Sequence, residues 1–164
     1  MKLYTKILSL LFVLTLSTAC KHNEKETTNY STSTSASQDE PYTSKKTKAD
    51  KKKYYDANDN VVYEIKYKPD GFKLRTASSK LLWKIKLYDD KIKISDNEEN
   101  LDPYEIKIIN SEEAKLVKND AKLARLTNEE VKGAYFPSLL INEISEIPED
   151  QKRIIMDELV LKGF

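Results

Sequence analysis

The feature that most constrains the fold is a short repeated pattern of alternating apolar and polar residues. Three segments begin with an aromatic residue and then alternate, namely Tyr63–Tyr67, Trp83–Leu87 and Tyr104–Ile108, and their first residues lie 20 and 21 positions apart. Strict alternation over four to eight residues is typical of a strand that buries one face. A fixed spacing indicates repeated structural units, so the chain is predicted to form a series of similar strand pairs.

Each segment is followed by a turn signal and a second alternating run. The second runs are Phe72–Arg75, Lys91–Ile94 and Ala114–Val117. The turn signals are Pro69-Asp70-Gly71, Asp89-Asp90 and Asn110-Ser111, and Asn119-Asp120 leads into a last strand near Lys122–Leu126. The first turn is the strongest, because Pro fixes φ and Gly allows positive φ. We expect about seven antiparallel strands between residues 61 and 126.

Alternation also assigns the two faces of the sheet, because successive side chains point to opposite sides. The residues expected to face the core are Tyr63, Ile65, Tyr67, Leu74, Trp83, Ile85, Leu87, Ile92, Ile94, Tyr104, Ile106 and Ile108. The residues expected to face outward are Lys66, Lys68, Lys73, Lys84, Lys86, Lys91, Lys93 and Lys107.

The periodicity changes after the strands. Leu139, Leu140 and Ile144 fit a short helix after Pro137-Ser138, and Pro148 with two following acids is a good helix start. Lys162-Gly163 marks the stop. The predicted fold class is α+β: an antiparallel β-meander of about seven short strands, either an open sheet or a closed barrel, followed by two short C-terminal helices at about 138–162.

The first 19 residues have the pattern of an export signal. Lys2 and Lys6 precede an apolar run of about ten residues, Ile7–Leu16, which is too short to span a bilayer. Small residues follow, and Cys20 comes directly after Ala19.

This arrangement resembles the lipobox of bacterial lipoproteins, although Ser17 stands where that family usually has Leu. The resemblance implies that a diacylglycerol is attached to the thiol of Cys20, that the signal is cut before it, and that the new amino group is acylated. It also implies a protein held at a membrane outside the cytoplasm. Residue 21 is Lys rather than the Asp that retains lipoproteins in the inner membrane of enteric bacteria, which favours the outer membrane where the cell has one.

Residues 20–52 are predicted to be the lipidated N-terminus and a disordered tether. Ser, Thr, Lys and acids dominate them, and large aliphatic residues are absent after Cys20. Such a stretch cannot bury enough apolar surface to offset its ordering entropy. The predicted folded domain is therefore 53–164, with strands at about 61–126.

The composition excludes several kinds of site. Cys20 is the only cysteine and His22 the only histidine, so residues 53–164 contain neither. This removes histidine bases, cysteine nucleophiles and the usual zinc sites from the domain. The domain carries 19 basic and 22 acidic side chains, a balance that argues against nucleic-acid binding. We assign no catalytic residue, metal site or cofactor.

Residues 60–126 resemble the tubby C-terminal-like and LURP-one-related families. The motifs that carry the resemblance are Leu81-Leu82-Trp83-Lys84-Ile85 and Lys91-Ile92-Lys93-Ile94-Ser95-Asp96. In those families a β-barrel surrounds a central helix, and the tubby branch binds phosphoinositides. No tubby lipid-binding residue can be matched here, so the resemblance implies a fold and no site.

The outward lysines are the candidate binding residues: Lys66, Lys84, Lys86, Lys91, Lys93 and Lys107. They could bind anionic headgroups or acidic glycans, or they could form a solvated face that discourages aggregation. Asp56–Asn60 has calcium-loop spacing but lacks the turn glycine, and Tyr67 stands at its twelfth position, so a turn is favoured. The acidic segment Asp96–Asn100 is interpreted as a solvated loop.

Three hypotheses for the function follow. The first is a non-enzymatic, lipid-anchored envelope protein whose domain binds or supports another envelope component. The second is a binder of anionic headgroups or acidic glycans through the lysine face. The third is a hydrolase with a pair of carboxylates that one sequence cannot single out.

Overall fold

The computed structural model describes residues 41–131 and 134–164. Within them, nine strands form one antiparallel sheet whose order follows the chain. The strands are β1 (Thr43–Lys48), β2 (Lys51–Tyr55), β3 (Val61–Lys68), β4 (Gly71–Thr76), β5 (Leu81–Leu87), β6 (Lys91–Ser95), β7 (Tyr104–Asn110), β8 (Glu113–Lys118) and β9 (Ala121–Thr127). The predicted α+β meander is confirmed, but the predicted count of about seven strands is too low.

The two additional strands form the first hairpin, β1 and β2. The predicted tether extended to residue 52, whereas β1 begins at Thr43, so regular structure starts before the predicted domain boundary. Alternation does not reveal this hairpin, because every β1 side chain is exposed and Lys52 shares the inward face of β2 with Tyr54. The predicted signal peptide, Cys20 and the tether up to residue 40 lie outside the described residues.

The hairpins repeat a backbone contact as well as a sequence pattern. In each, a carbonyl group in the turn accepts a hydrogen bond of 2.8 to 2.9 Å from a backbone N–H near or just past the end of the next odd-numbered strand. The acceptor and donor pairs are Asp50 and Tyr67, Asp70 and Leu87, Asp90 and Ile108, and Glu112 and Asn128. The donors lie 20, 21 and 20 residues apart, so the repeat seen in the sequence is also a repeat of the structure.

Two turns have backbone conformations that restrict the residues allowed there. Gly71, after the turn from β3, has φ +149, and a Cβ there would lie 2.1 Å from the carbonyl oxygen of Ile85 on β5. Only glycine permits this close approach. Between β8 and β9, Asn119 and Asp120 have φ values of 49 and 63, the pair of positive angles found in type I′ hairpin turns.

Two helical segments follow the sheet, as predicted. The first, Pro137–Glu143, is a 3-10 helix, and the second is α1, Glu149–Val160; a short 3-10 turn, Asn128–Glu130, precedes both. Two acids occupy the first turn of α1, where their negative charge interacts favourably with the partly positive helix N-terminus. The helix ends where Gly163, with φ 88, allows the N–H of Phe164 to bond back to the last turn.

Both helical segments contribute to one hydrophobic core with the inner face of the sheet. Buried residues from the predicted inward set are Ile65, Leu74, Trp83, Ile85, Ile92, Ile94, Tyr104 and Ile106. Tyr63, Tyr67 and Leu87 are partly buried against the same core. The prediction missed Tyr54, Phe72, Ala114 and Leu116, which are also buried there.

The sheet is open, with β1 and β9 at its two edges. If it were flat, nine strands about 4.8 Å apart would span about 40 Å, whereas each helical segment is only about 10 Å across. Side chains from β2 to β8 nevertheless share one core cluster with both segments. The sheet therefore curls around the helices, and its outer face is convex.

Candidate anion-binding face

The convex face of the sheet carries the predicted lysines. Alternation places the buried Ile65, Ile85 and Ile92 on the inner face and the lysines beside them on the outer one. All six predicted residues are partly exposed there: Lys66, Lys84, Lys86, Lys91, Lys93 and Lys107. The structure therefore brings them together across β3, β5, β6 and β7.

Strand pairing arranges the cations of this face in two rows. In the β2–β5 row, the residues directly opposite one another are Lys51, Lys66, Lys73 and Lys84. In the β6–β9 row they are Lys91, Lys107, Lys115 and Arg125. Lys86 and Lys93 form a further opposed pair. Like charges directly opposite each other destabilise a sheet by roughly 0.2–1 kcal/mol per pair, so this arrangement opposes folding.

Acidic side chains interleave with the rows and offset part of this repulsion. Lys51 Nζ lies 2.9 Å from Glu64 Oε1, and Lys93 Nζ lies 2.8 Å from Glu105 Oε1. The hydrogen bond from Lys93 is the main reason that the pKa of Glu105 is lowered. Further ion pairs join Lys86 to Asp70, Lys107 to Glu105, and both Lys115 and Arg125 to Glu113.

Three of the predicted lysines, Lys66, Lys84 and Lys91, form no ion pair with any residue in 41–131 or 134–164, and Lys84 donates instead to the backbone oxygen of Glu98. Lys66 lies in the β2–β5 row between two other lysines. Lys91 begins the β6–β9 row, and its Nζ lies 5.7 Å from the ring centre of Tyr88. Among the six predicted lysines, Lys66 and Lys91 are therefore the two whose ammonium groups have neither an ion pair nor a hydrogen bond within the described residues.

A three-cation cluster stands out within the face. Glu98, in the loop between β6 and β7, places Oε1 2.7 Å from Arg75 Nη2 and Oε2 against Lys73 Nζ. Lys84 Nζ donates to the backbone oxygen of Glu98. The hydrogen bond from Lys73 is the main cause of the lowered pKa of the Glu98 carboxyl. We call Lys73, Arg75 and Lys84 the three-cation cluster.

The loop that carries Glu98 is held by its own hydrogen bonds. Asn97 Oδ1 accepts the N–H of Leu101 at 2.7 Å, and its Nδ2 donates to the Leu101 oxygen at 3.0 Å. Ser95 Oγ donates to Asn100 Oδ1 at 2.9 Å. The prediction of a solvated loop is therefore incomplete: Glu98 remains half-exposed but bridges to β4. No local sequence signal reveals this contact, since Arg75 and Glu98 are 23 residues apart.

The inner face carries a second polar network, which sequence reasoning missed. The carboxylate of Glu158 on α1 is 2 % exposed and accepts hydrogen bonds from Lys52, Tyr54 and Tyr67 at 2.8 to 3.0 Å. Toward the other end of α1, Asp150 accepts the hydroxyls of Tyr42 and Tyr63 at 2.9 and 2.7 Å. Trp83 Nε1 donates to Gln151 at 2.8 Å, and Tyr104 bonds to Glu146.

This tyrosine–carboxylate network fixes α1 on the sheet. Burial, followed by the neighbouring Glu158, raises the pKa of both Tyr54 and Tyr67, so these hydroxyls stay protonated and remain donors. Glu158 is buried, and Glu158, Asp150 and Glu146 each bond to tyrosine hydroxyls from the sheet. The network therefore positions the helix on the sheet.

One cavity in the described part lies beside the last strand of the sheet. It has a volume of about 320 Å³ and is lined by several acids, among them Glu112, Glu113 and Glu129. Arg125 and then Lys115 lower the pKa of Glu113 through hydrogen bonds, so Glu113 is ionised at neutral pH and is a poor general acid.

The segment with calcium-loop spacing forms a closed turn. Asp56 Oδ1 accepts the N–H groups of Asn58 and Asn60, both at 2.9 Å. The bond from Asn60 is the main cause of the lowered pKa of Asp56. This carboxylate is thus used within the turn, which is the interpretation favoured from the sequence.

Comparison of the chain with protein-family models, curated proteins and solved structures gave no match. The resemblances to bacterial lipoproteins and to the tubby-like families therefore stay predictions. Among the described residues, no helix is long and apolar enough to cross a membrane. Cys20, the predicted lipidation site, lies outside those residues.

Proposed function

We propose that the protein is a lipid-anchored envelope protein whose small domain is a non-enzymatic binding module. The anchor is the diacylglycerol on Cys20, supported by the two lysines, the short apolar run and the sole cysteine directly after it. Two or three acyl chains give stable attachment, because each buried methylene contributes about 0.8 kcal/mol.

The anchor is tested by fractionating cells that express the full chain or its Cys20→Ala variant. We expect the unaltered chain in the membrane fraction, with a mature mass that begins at Cys20 and includes acyl chains. The variant should lose this mass and accumulate as an uncleaved precursor. If the variant keeps the normal mature size and location, Cys20 is not the anchor.

The binding surface in this proposal is the convex cationic face, and its ligand is anionic. The observation that supports it is the strand register, which sets like charges directly opposite one another in two rows of four. Such a register lowers stability. An anion bound along a row would neutralise the repulsion, so the arrangement is explained better by ligand binding than by folding.

Charge is also separated between the two parts of the domain. Residues 41–127 carry 20 basic and 15 acidic side chains, a surplus of five positive charges, whereas residues 128–164 carry 4 basic and 8 acidic ones, a surplus of four negative charges. The positive surplus belongs to the strands, so a long anion is attracted to the sheet and repelled by the helical side.

The binding test uses protein purified from cells that express the full chain, in nonionic detergent, with polygalacturonate as the anionic polymer. The affinity is measured from 50 to 300 mM salt. A second experiment compares sedimentation with phosphatidylglycerol and phosphatidylcholine vesicles. The lipid anchor inserts into both, so the difference between them measures binding by the cationic face. Because exposed charges are screened beyond about 8 Å at physiological salt, the affinity should fall steeply as salt increases.

Matched double variants locate the surface. Lys66→Gln with Lys91→Gln removes the two predicted lysines that have neither an ion pair nor a hydrogen bond with described residues, so the fold loses little. Lys46→Gln with Lys80→Gln removes two exposed charges elsewhere and is the control. We expect the first pair to weaken binding about three- to tenfold at 50 mM salt. Equal effects of the two pairs would contradict a specific face.

A further inference from the structure

The three-cation cluster has the form of an anion site that is already occupied. Three side chains from the adjacent strands β4 and β5 converge on one residue, Glu98, through both its carboxylate oxygens and its backbone oxygen. We propose that Glu98 is an internal substitute for a ligand carboxylate. This proposal rests on the function proposed above and assigns the cluster as the site where an acidic polysaccharide binds after displacing Glu98.

The burial of the partners shows which component is fixed and which can leave. The side chains of Lys73 and Arg75 are 17 % and 20 % exposed, whereas that of Glu98 is 43 % exposed. The cations stand on paired strands, and the acid stands on a loop. Since ion pairs with an exposed member contribute little net stability, another carboxylate can replace Glu98 at small cost.

The hydrogen bonding of Arg75 is incomplete in the present state. Nη1 donates to the backbone oxygen of Ser79 at 2.7 Å, and Nη2 donates to Glu98. Its buried Nε donates to no described residue. A guanidinium binds a carboxylate best through two parallel N–H groups, so a ligand carboxylate along the Nε–Nη2 edge would gain a bond that Glu98 does not make.

The surroundings of the cluster favour a linear polymer. Lys66, which has no ion pair within the described residues, is directly opposite Lys73 in the β2–β5 row. The row positions lie on neighbouring strands about 4.8 Å apart, so a chain carrying regular carboxylates can extend from the cluster along the row.

Two other classes of partner fit less well. The face is convex, so a flat bilayer would touch only part of it, whereas a flexible polysaccharide can follow the curve. The β2–β5 row consists of lysines alone and offers no aromatic or aliphatic anchor of the kind that protein interfaces bury at their centre. An acidic polysaccharide is therefore the class that we assign.

The test compares Glu98→Gln with Glu99→Gln in the full chain, using polygalacturonate as the probe and neutral dextran as the blank. Both changes remove one negative charge from the same loop, but only Glu98 bonds to the three-cation cluster. We expect Glu98→Gln to strengthen binding about three- to tenfold and Glu99→Gln to change it less than twofold.

Glu98→Asp distinguishes the effect of the carboxylate occupying the three-cation cluster from the effect of net charge. It keeps the charge but withdraws the carboxylate from Lys73 and Arg75, so it too should strengthen binding. Adding Lys73→Gln to Glu98→Gln should abolish the gain. Thermal unfolding of each variant tests whether the domain stays folded, and Glu98→Asp remains informative if Glu98→Gln does not fold.

The outcomes distinguish this inference from the proposed function. If the unaltered chain binds polygalacturonate through Lys66 and Lys91 but Glu98→Gln behaves like Glu99→Gln, or binds more weakly, the displacement proposal fails and the cationic face stands. If Glu98→Gln strengthens binding only to phosphatidylglycerol vesicles, the assigned ligand class is wrong. If no form binds either anionic probe, both proposals fail.

Discussion

The two faces of this sheet use charge in opposite ways. On the inner face, buried carboxylates such as Glu158 are satisfied by tyrosine hydroxyls and by Lys52, so polar groups hold a helix in one place. On the outer face, lysines oppose lysines across the strands, and interleaved acids such as Glu64 and Glu105 compensate them only in part. Alternation along the same strands produces both faces. The inner polar groups therefore stabilise the domain, whereas the opposed lysines of the outer face destabilise it.

The largest expected effect is on the inner face. Glu158→Ala would leave the hydroxyls of Tyr54 and Tyr67 and the ammonium group of Lys52 without their acceptor. Loss of one partner from a buried network costs about 3–5 kcal/mol, so urea unfolding should show a decrease of that size. Glu105→Ala on the outer face is the comparison and should cost at most about 1 kcal/mol. Similar losses for the two variants would remove the distinction between the faces.

A change in the backbone that both faces share should have the next largest effect. Gly71→Ala places a Cβ 2.1 Å from the Ile85 oxygen at φ +149, so β4 and β5 must move apart. We expect a loss of about 2–4 kcal/mol in the free energy of unfolding. Gly163→Ala is the matched control, because Gly163 also has positive φ but a Cβ there meets nothing within 4 Å. Its cost should stay near 1 kcal/mol.

Alkaline pH should act on the inner face. Burial raises the pKa of Tyr54 and Tyr67 above the ordinary value of 10.0, so their contribution to stability is complete below pH 10 and is lost as pH rises toward the higher folded pKa. Each such tyrosine should cost about 1.4 kcal/mol per pH unit above 10.

Urea unfolding at pH 8, 10 and 11 measures this loss. Tyr54→Phe should make the decline between pH 10 and pH 11 shallower. Tyr88→Phe, at an exposed position, should leave the slope as it is. A slope that Tyr54→Phe does not alter would show that other groups limit stability in alkali.

The smallest expected effect lies on the outer face and has the opposite sign. Lys66→Glu would set an acid between Lys51 and Lys73 in the β2–β5 row. Replacing repulsion with attraction across the strands should stabilise the domain by about 0.5–1 kcal/mol, measured by urea unfolding, while weakening binding to polygalacturonate. A loss of stability would show that the register carries no repulsion for a ligand to relieve.

Much of the sheet could be predicted from local patterns. The hairpins from β3 to β9 follow from alternation and from turns such as Pro69-Asp70-Gly71, which act within a few residues. The first hairpin could not be predicted, because Lys52 takes an inward position in which it bonds to Glu158, 106 residues later. A pattern that counts lysine as outward therefore fails there.

The candidate site shows the same division. The outward lysines are found by alternation alone. Their opposition in rows requires the strand register, and the contact between Glu98 and Arg75 requires the loop to fold back across two strands. These relations depend on residues that are distant in the sequence, so the local sequence pattern does not reveal them.

The repeated turn contacts have a consequence for how the domain assembles. Every strand pairs with its neighbour in sequence, and the turn carbonyl of each hairpin bonds to the hairpin that follows. Formation of one hairpin therefore provides the edge on which the next can pair. Contacts of this kind favour rapid folding and propagation from any unit, as in linear repeat arrays. The bonds from α1 to the tyrosines and Trp83 instead span 68 to 108 residues. The cationic rows can thus form before the helix docks. Duplication of one hairpin would lengthen a row without changing the other strands.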